Sequence, residues 1–519
     1  MPRRLLVLAL LLSLAGCLSP EQRMVLKVER LMERQDWGGA LDFLDGYLSK
    51  HKQSLNGWRY RVMIRLEQQE RATAAAEYAA LEQALARHEP EVLREVVLGK
   101  GGRWLLSDYK ALARCAPKGV ADVALFADLL EPKLLGEGSM SKVAIADDEI
   151  AAIVDALPGT LPPAQTWALL EGPRKNPSPS VQRRIVASAA RHLAAGLQPV
   201  AEAQEVIVAA AGSADADLRE EALLAVLALP DSSERQATTA AIVDALLGAG
   251  DVARASSAFL LGPGRRGPAE WSQEALGLWA ETAASPLREL AVGGRQAAEP
   301  NARRLSFLKG LKAGSAGPRL AAQAAWGLTL DETPAEAWAA LSLAEQRTWG
   351  PVFARSAAVD RGLWAKLGLS GSDALLVQGT AAALALPAVG PDPEVDPVLQ
   401  TALEAGDAAS RAEVARAAVL RDATPLALPL AGLLGQGDDL VLDAVLRAVV
   451  DRPDEAWQPL VAAGLKAELP LARELAVDAA AASCRAADKE LMEGLLTDED
   501  PHVAVRAASA LYLLIGAAK

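Results

Sequence analysis

From about residue 175 onward, an arginine recurs in this chain at a near-constant interval, usually followed three residues later by alanine or serine. Arg184 precedes Ala187, Arg219 precedes Ala222, Arg254 precedes Ser257, Arg288 precedes Ala291 and Arg319 precedes Ala322. Arg473 precedes Ala476, and Arg506 precedes Ser509. Successive spacings from Arg184 to Arg319 are 35, 35, 34 and 31 residues. Arg411 holds the register with Val414 at the second position; it lies 62 residues before Arg473, twice 31, with Leu442 where the intervening arginine would fall. A fixed period of this length marks stacked supersecondary units, none of which buries its apolar face alone. Composition says the units are helical. The chain is 51% hydrophobic but only 4% aromatic, and its apolar content comes mainly from Ala, Leu and Val. Such residues suit closely packed helices better than β-sandwiches. The expected fold is all-α, a solenoid of stacked antiparallel helix pairs.

The last unit is the clearest. In Asp498-Glu499-Asp500-Pro501-His502-Val503-Ala504-Val505-Arg506-Ala507-Ala508, Asp500 caps a helix whose first position is Pro501. Val503, Ala507, Ala510, Leu511 and Leu514 then form a stripe at helical spacing. The same grammar recurs in Ser285-Pro286-Leu287-Arg288. This pattern resembles the second helix of a HEAT repeat. The resemblance implies that the arginines are structural, bonding backbone or acidic groups of the adjoining repeat. The last helix is expected to close the C-terminal end of the stack.

Nearer the start the period is 34. Ala40 matches Ala74, Leu44 matches Tyr78, Tyr47 matches Leu81, and Trp58 stands sixteen residues before Ala74. This resembles the tetratricopeptide repeat, although Arg61, Val62 and Arg65 stand where that family usually has Leu, Gly and Tyr. The expected organisation is tetratricopeptide-like hairpins over 17–90, a helical junction over 91–174 and HEAT-like repeats over 175–386. A linker over 387–397 follows, where four prolines and a glycine forbid a continuous helix. A second HEAT-like segment fills 398–519.

Residues 1–16 carry a different message. Arg3 and Arg4 precede an apolar run, Leu5 to Leu14, too short to span a bilayer. The run ends in Leu14-Ala15-Gly16-Cys17. This resembles the signal peptide and lipobox of bacterial lipoproteins, which implies lipid on Cys17 and a cell-envelope address. Leu18 after the cysteine implies, by the same resemblance, the outer membrane and the periplasm. Cleavage there takes the net charge from −13 to −15. An acidic chain with no basic stripe is repelled by nucleic acid. Beyond Cys17 only Cys115 and Cys484 remain. A disulfide is open to them in an oxidising compartment. Their wide separation and the lack of a CxxC spacing favour two small buried apolar side chains instead.

Signs of catalysis are few. His51, His88, His192 and His502 fall in no HExxH pattern and no Cys/His cluster, so no metal site is expected. Gly262, Gly264 and Gly267 satisfy GxGxxG, but the preceding pattern is helical and Pro263 and Pro268 make the segment a loop. No GxSxG elbow or phosphate loop occurs. No cofactor and no enzymatic activity are expected. The candidates for partner binding are the six tryptophans Trp271, Trp279, Trp326, Trp338, Trp349 and Trp364, because tryptophan is enriched at contact hot spots. With only five phenylalanines in the chain, core packing competes for them. Arg265 and Arg266, in the nearby loop, would steer an acidic partner. The expected function is a lipid-anchored scaffold or assembly factor for other envelope proteins. The alternatives are an obligate structural subunit of an envelope complex, which predicts a large apolar interface, and an enzyme built on the helical array.

Overall fold

The computed structural model describes residues 19–99, 108–115, 146–157, 162–198, 200–228, 233–251, 254–255, 258, 320, 333–355, 361–385, 393–421, 423, 426–434 and 438–517. All regular structure among them is helical. The helices pack in neighbouring pairs, as in a helical repeat array. The chain forms two compact units, one of residues 1–117 with 464–519, the other of 118–463.

The first unit begins with α1 (Pro20–Glu33), α2 (Trp37–Leu48), α3 (Leu55–Glu67), α4 (Arg71–Leu85), α5 (Pro90–Leu98) and α6 (Asp108–Cys115). Ser19 starts α1 with a reciprocal capping box: its hydroxyl accepts from the Gln22 amide, and its own amide donates to the Gln22 side chain. Asp36 and Ser54 cap α2 and α3 in the same one-sided way. Met24, Val28, Ala40, Leu44 and Ile64 then close a shared core. The 34-residue period is visible in the backbone. α1 and α3 end at Glu33 and Glu67, and α2 and α4 start at Trp37 and Arg71. Gln35 and Gln69, two equivalent residues, both take the left-handed conformation, with φ of 57° and 64°. Arg61 has a partner that explains why it stands at an apolar position: it donates to both carboxylate oxygens of the buried Glu77 at 2.7 Å, and also to Asp45.

The second unit holds α7 (Asp147–Ala156), α8 (Pro163–Leu169), α9 (Pro179–Ala194), α10 (Val200–Ala211), α11 (Ala216–Ala228) and α12 (Ser233–Gly248). α9 packs on α7, α10 and α11, and α10 packs on α12. Further along come α13 (Pro334–Ala339), α14 (Leu343–Arg355), α15 (Arg361–Leu369), α16 (Ala374–Leu384), α17 (Asp396–Ala405), α18 (Ala408–Leu420), α19 (Ala427–Leu434), α20 (Asp439–Asp451) and α21 (Gln458–Gly464), which ends at the boundary. α14, α16, α18 and α20 pack in succession as one layer. Close approach is enforced by missing side chains: a Cβ on Gly350 would meet Leu376 at 2.7 Å, and one on Gly368 would meet Thr380 at 2.5 Å. α17 starts inside the expected linker, with Pro397 in its first turn; residues 386–392 lie outside the described residues.

The first unit is completed by α22 (Pro470–Ser483), α23 (Lys489–Leu495) and α24 (Pro501–Ala517). α24 packs on α22 and α23 and also on α4, α5 and α6. The expectation that the last helix closes a free end is therefore corrected. Its apolar stripe is too wide for one neighbour, with Val503, Ala504, Ala507, Ala508, Leu511 and Leu514 all buried. α24 is the centre of a core built from both ends of the chain.

Candidate functional site

The repeat arginines sit near the starts of their helices and reach neighbouring helices or turns. Arg219 donates to Asp251 at 2.8 Å and to the carbonyls of Ser213 and Ala214. Arg254 bridges Asp251 at 2.7 Å and Glu220 at 2.6 Å. Arg411 reaches Asp438 at 2.7 Å, and Arg473 reaches both oxygens of Asp498 at 2.9 and 2.8 Å. Arg184 turns back to Asp155 at 3.2 Å, and Arg506 to Glu474 and Asp478. Arg288 and Arg319 lie outside the described residues. Leu442, in the slot of the missing arginine, is buried.

The acceptors escaped the sequence reading, as did one arginine. Arg347 makes a two-pronged contact with Asp373 at 2.9 and 2.6 Å, and Gly350 fills its small position three residues on. Asp373 and Asp438 are also the N-caps of α16 and α20. The Arg347 guanidinium, with the Leu376 amide, pulls the Asp373 carboxyl down to about 2. Arg473 depresses Asp498 in the same way. Burial would push Asp251 up, but the hydrogen bonds from Arg219 and Arg254 win and hold it low. The legible signal was an aspartate at or just before a helix start, 25 to 32 residues after an arginine.

The tryptophan expectation is corrected where it can be read. Trp338, Trp349 and Trp364 are at most 6% exposed. They surround Phe353, which stacks on Trp364 with ring centroids 4.2 Å apart and on Trp349 at 5.8 Å; Trp338 meets Trp364 edge-on at 5.9 Å. In a chain whose layers are mostly alanine, these rings fill the space between α13, α14 and α15, so they are core and not contact surface. Trp271, Trp279, Trp326, Arg265 and Arg266 lie outside the described residues.

The exposed apolar groups are leucines instead. Leu343, Leu375 and Leu440 are 45%, 60% and 56% exposed. Each occupies the first or second position of α14, α16 or α20, three helices of one layer. They therefore share the edge that carries the Arg347–Asp373 and Arg411–Asp438 contacts. A groove of about 510 Å³ opens beside this edge, lined by Leu369, Ala374, Val377, Val398, Ala402 and Ser410 among others. Sequence reasoning missed these leucines because a leucine in a helix's first turn has the same pattern as a core residue.

The first unit holds two links between the ends of the chain. Cys115 and Cys484 form a disulfide, which corrects the expectation of two separate buried thiols. Folding both chain ends into one unit brings together residues that spacing alone kept apart. Cys484 occupies the left-handed position that ends α22. The other link is His88, whose Nδ1 lies 2.6 Å from Glu82 and whose Nε2 lies 3.7 Å from Glu493. Burial pushes the Glu82 carboxyl up, against hydrogen bonds from His88 and Tyr78. Burial raises Tyr78 further, and the Glu82 charge adds to it.

No protein-family model matches the chain, and no curated protein matches it.

Proposed function

We propose that this chain is a lipid-anchored scaffold of the bacterial cell envelope, a HEAT-like array that holds other envelope proteins along one edge. The observation that carries the reading is the row of exposed leucines Leu343, Leu375 and Leu440 beside a groove of mixed lining. Large apolar side chains at the starts of three helices of one layer, with only α18 between α16 and α20, leave apolar area in water, and such area favours association. The salt-bridged aspartates Asp373 and Asp438 fix the starts of α16 and α20, so a partner meets a surface that needs little ordering there. The tetratricopeptide-like hairpins of 17–90 suit the same role.

The address rests on Leu14 to Cys17, with support from the Cys115–Cys484 disulfide, which persists in an oxidising compartment such as the periplasm. Lipid on Cys17 would hold the array at a membrane, firmly so only with more than one acyl chain. Two measurements test the reading. Cys17→Ser should move the protein from the membrane pellet to the soluble periplasmic fraction and abolish palmitate labelling; retention in the pellet after a high-salt wash sinks the anchor. Proteins recovered with the wild type after mild detergent extraction should be lost with Leu375→Glu/Leu440→Glu; undiminished recovery sinks the leucine edge as the docking surface.

A further inference from the structure

Glu82, in the last turn of α4, His88, in the α4–α5 connection, and Glu493, in α23, meet although they come from opposite ends of the chain. One donor atom of each lies within 4.8 Å of the other two. A neutral imidazole carries one ring proton. In the tautomer with its proton on Nδ1, the ring donates to Glu82 Oε1 across the 2.6 Å contact. The lone pair of Nε2 then faces Glu493 Oε1 across 3.7 Å. That gap is too long for a hydrogen bond. It is close to the separation of two donors on one ion, since metal–nitrogen and metal–oxygen bonds of about 2.0–2.1 Å at tetrahedral or wider angles place donors roughly 3.3–4 Å apart. Two electron-rich atoms face each other there, and a cation between them turns repulsion into attraction.

Among the described side chains, only a protonated His88 itself would supply such a cation. Among the described residues, no arginine or lysine forms an ion pair with Glu82 or Glu493, and the neighbouring Arg87 is engaged with Glu89 at 2.6 Å. His88 and Glu493 remain about one-third exposed, so an ion can enter and keep water on its free positions.

We propose that His88 Nε2 and Glu493 bind a divalent metal ion of the zinc class, with Glu82 holding the other imidazole nitrogen and fixing the ring's orientation. Carboxylate–imidazole–metal chains of this kind orient the ligand and raise its basicity. The ion would join α23 to the α4–α5 connection, and with the Cys115–Cys484 bridge would fasten the two chain ends of the first unit twice. Binding to the folded state alone then raises stability with ion concentration.

The test is a zinc titration of the full, disulfide-bonded chain in detergent, by competition with a fluorescent chelator. One equivalent should bind, and the melting temperature should rise with zinc. His88→Ala and Glu493→Gln should each abolish both effects with the helical circular-dichroism signal unchanged, and Glu82→Gln should weaken binding 10–100-fold. A measurement on the unmutated chain guards against variants that do not fold: zinc should protect His88 from diethyl pyrocarbonate while the exposed His51 and His502 stay reactive. A wild type that takes up no zinc, uptake that survives His88→Ala, or a His88 that zinc does not protect each overturns the site.

Discussion

Asp438 serves two helices at once: one carboxylate oxygen accepts the Val441 amide at 3.3 Å and caps α20, and the other accepts from Arg411 of α18 at 2.7 Å. The same double duty falls to Asp373, between the Leu376 amide and Arg347. A capping aspartate is worth about 1 kcal/mol to its own helix. A hydrogen bond to a charged partner that is partly shielded from water is worth about 1.5–3 kcal/mol. Because one side chain does both, the start of each helix is fixed by the repeat before it.

Asp438→Asn should therefore cost about 1 kcal/mol, since asparagine still caps but no longer carries the charge that Arg411 reaches. Asp438→Ala should cost about 2–3 kcal/mol, because it removes both contacts. Urea midpoints of the two variants measure the difference. In combination with Arg411→Ala the two costs should not add, because they remove one shared contact. Full additivity would mean that Arg411 and Asp438 do not interact in solution.

Acid should loosen the ladder. Asp373 lies at about 2 in the folded chain, below its ordinary value of 3.8, chiefly through Arg347. A depressed folded value means a contribution present in full above the ordinary value and lost as pH falls through the folded one. Asp251 and Asp498 are shifted in the same direction and act with it. Melting temperature should drop between about pH 4 and pH 2, and Asp373→Asn should drop less over that window. The pair is exposed, so added salt should shrink the difference between the two proteins.

Much of this architecture was readable from the residues, for a physical reason. A repeat unit contacts mainly its neighbours, so its period and caps are local facts that a linear pattern records. The 34-residue spacing of Gln35 and Gln69 and the cap at Asp500 are of this kind. What stayed hidden depends on contacts far apart in sequence. Neither the meeting of Cys115 with Cys484 nor that of His88 with Glu493 follows from any spacing, because α24 gathers both chain ends into one core. Trp349 and Leu375 were hidden differently. A large apolar residue on a helix is core or surface according to which way the helix faces, and pattern alone took the buried Trp349 for a surface residue and passed over the exposed Leu375.

Truncation after Thr497 removes α24 and with it the surface that covers α4, α5, α6, α22 and α23. The loss exposes apolar faces of helices at both chain ends, not at one flank. The truncated protein should aggregate, and the N-terminal helices should become as sensitive to protease as the C-terminal ones. A soluble monomer with unchanged melting contradicts this packing.

Breaking the covalent link tests the same unit more gently. The disulfide closes a loop between Cys115 and Cys484, separated by 369 positions. Removing a native disulfide costs about 2–5 kcal/mol where it restricts the unfolded chain. Cys115→Ser/Cys484→Ser should lower the melting temperature, and the wild type should expose no free thiol at either residue on denaturation without reductant. A single protease cut between the two cysteines should leave both fragments on one band until reductant is added. Separation without reductant contradicts the bridge.

The buried tryptophans and the exposed leucines make opposite predictions, and together they separate folding from function. Trp364 lies in a packed aromatic cluster, so Trp364→Ala should cost about 3–5 kcal/mol through the cavity it leaves. Leu375 and Leu440 stand mostly in water, so Leu375→Ala/Leu440→Ala should change stability by no more than about 0.5 kcal/mol per site. The order reverses for partner capture. The leucine variant should retain its melting temperature and lose any co-extracted proteins that the proposed edge holds. A mild tryptophan-to-phenylalanine change, Trp364→Phe, should soften the core and leave capture intact wherever the protein is still folded. If the leucine variant captures partners as well as the wild type, the edge formed by α14, α16 and α20 is not where this array makes contact.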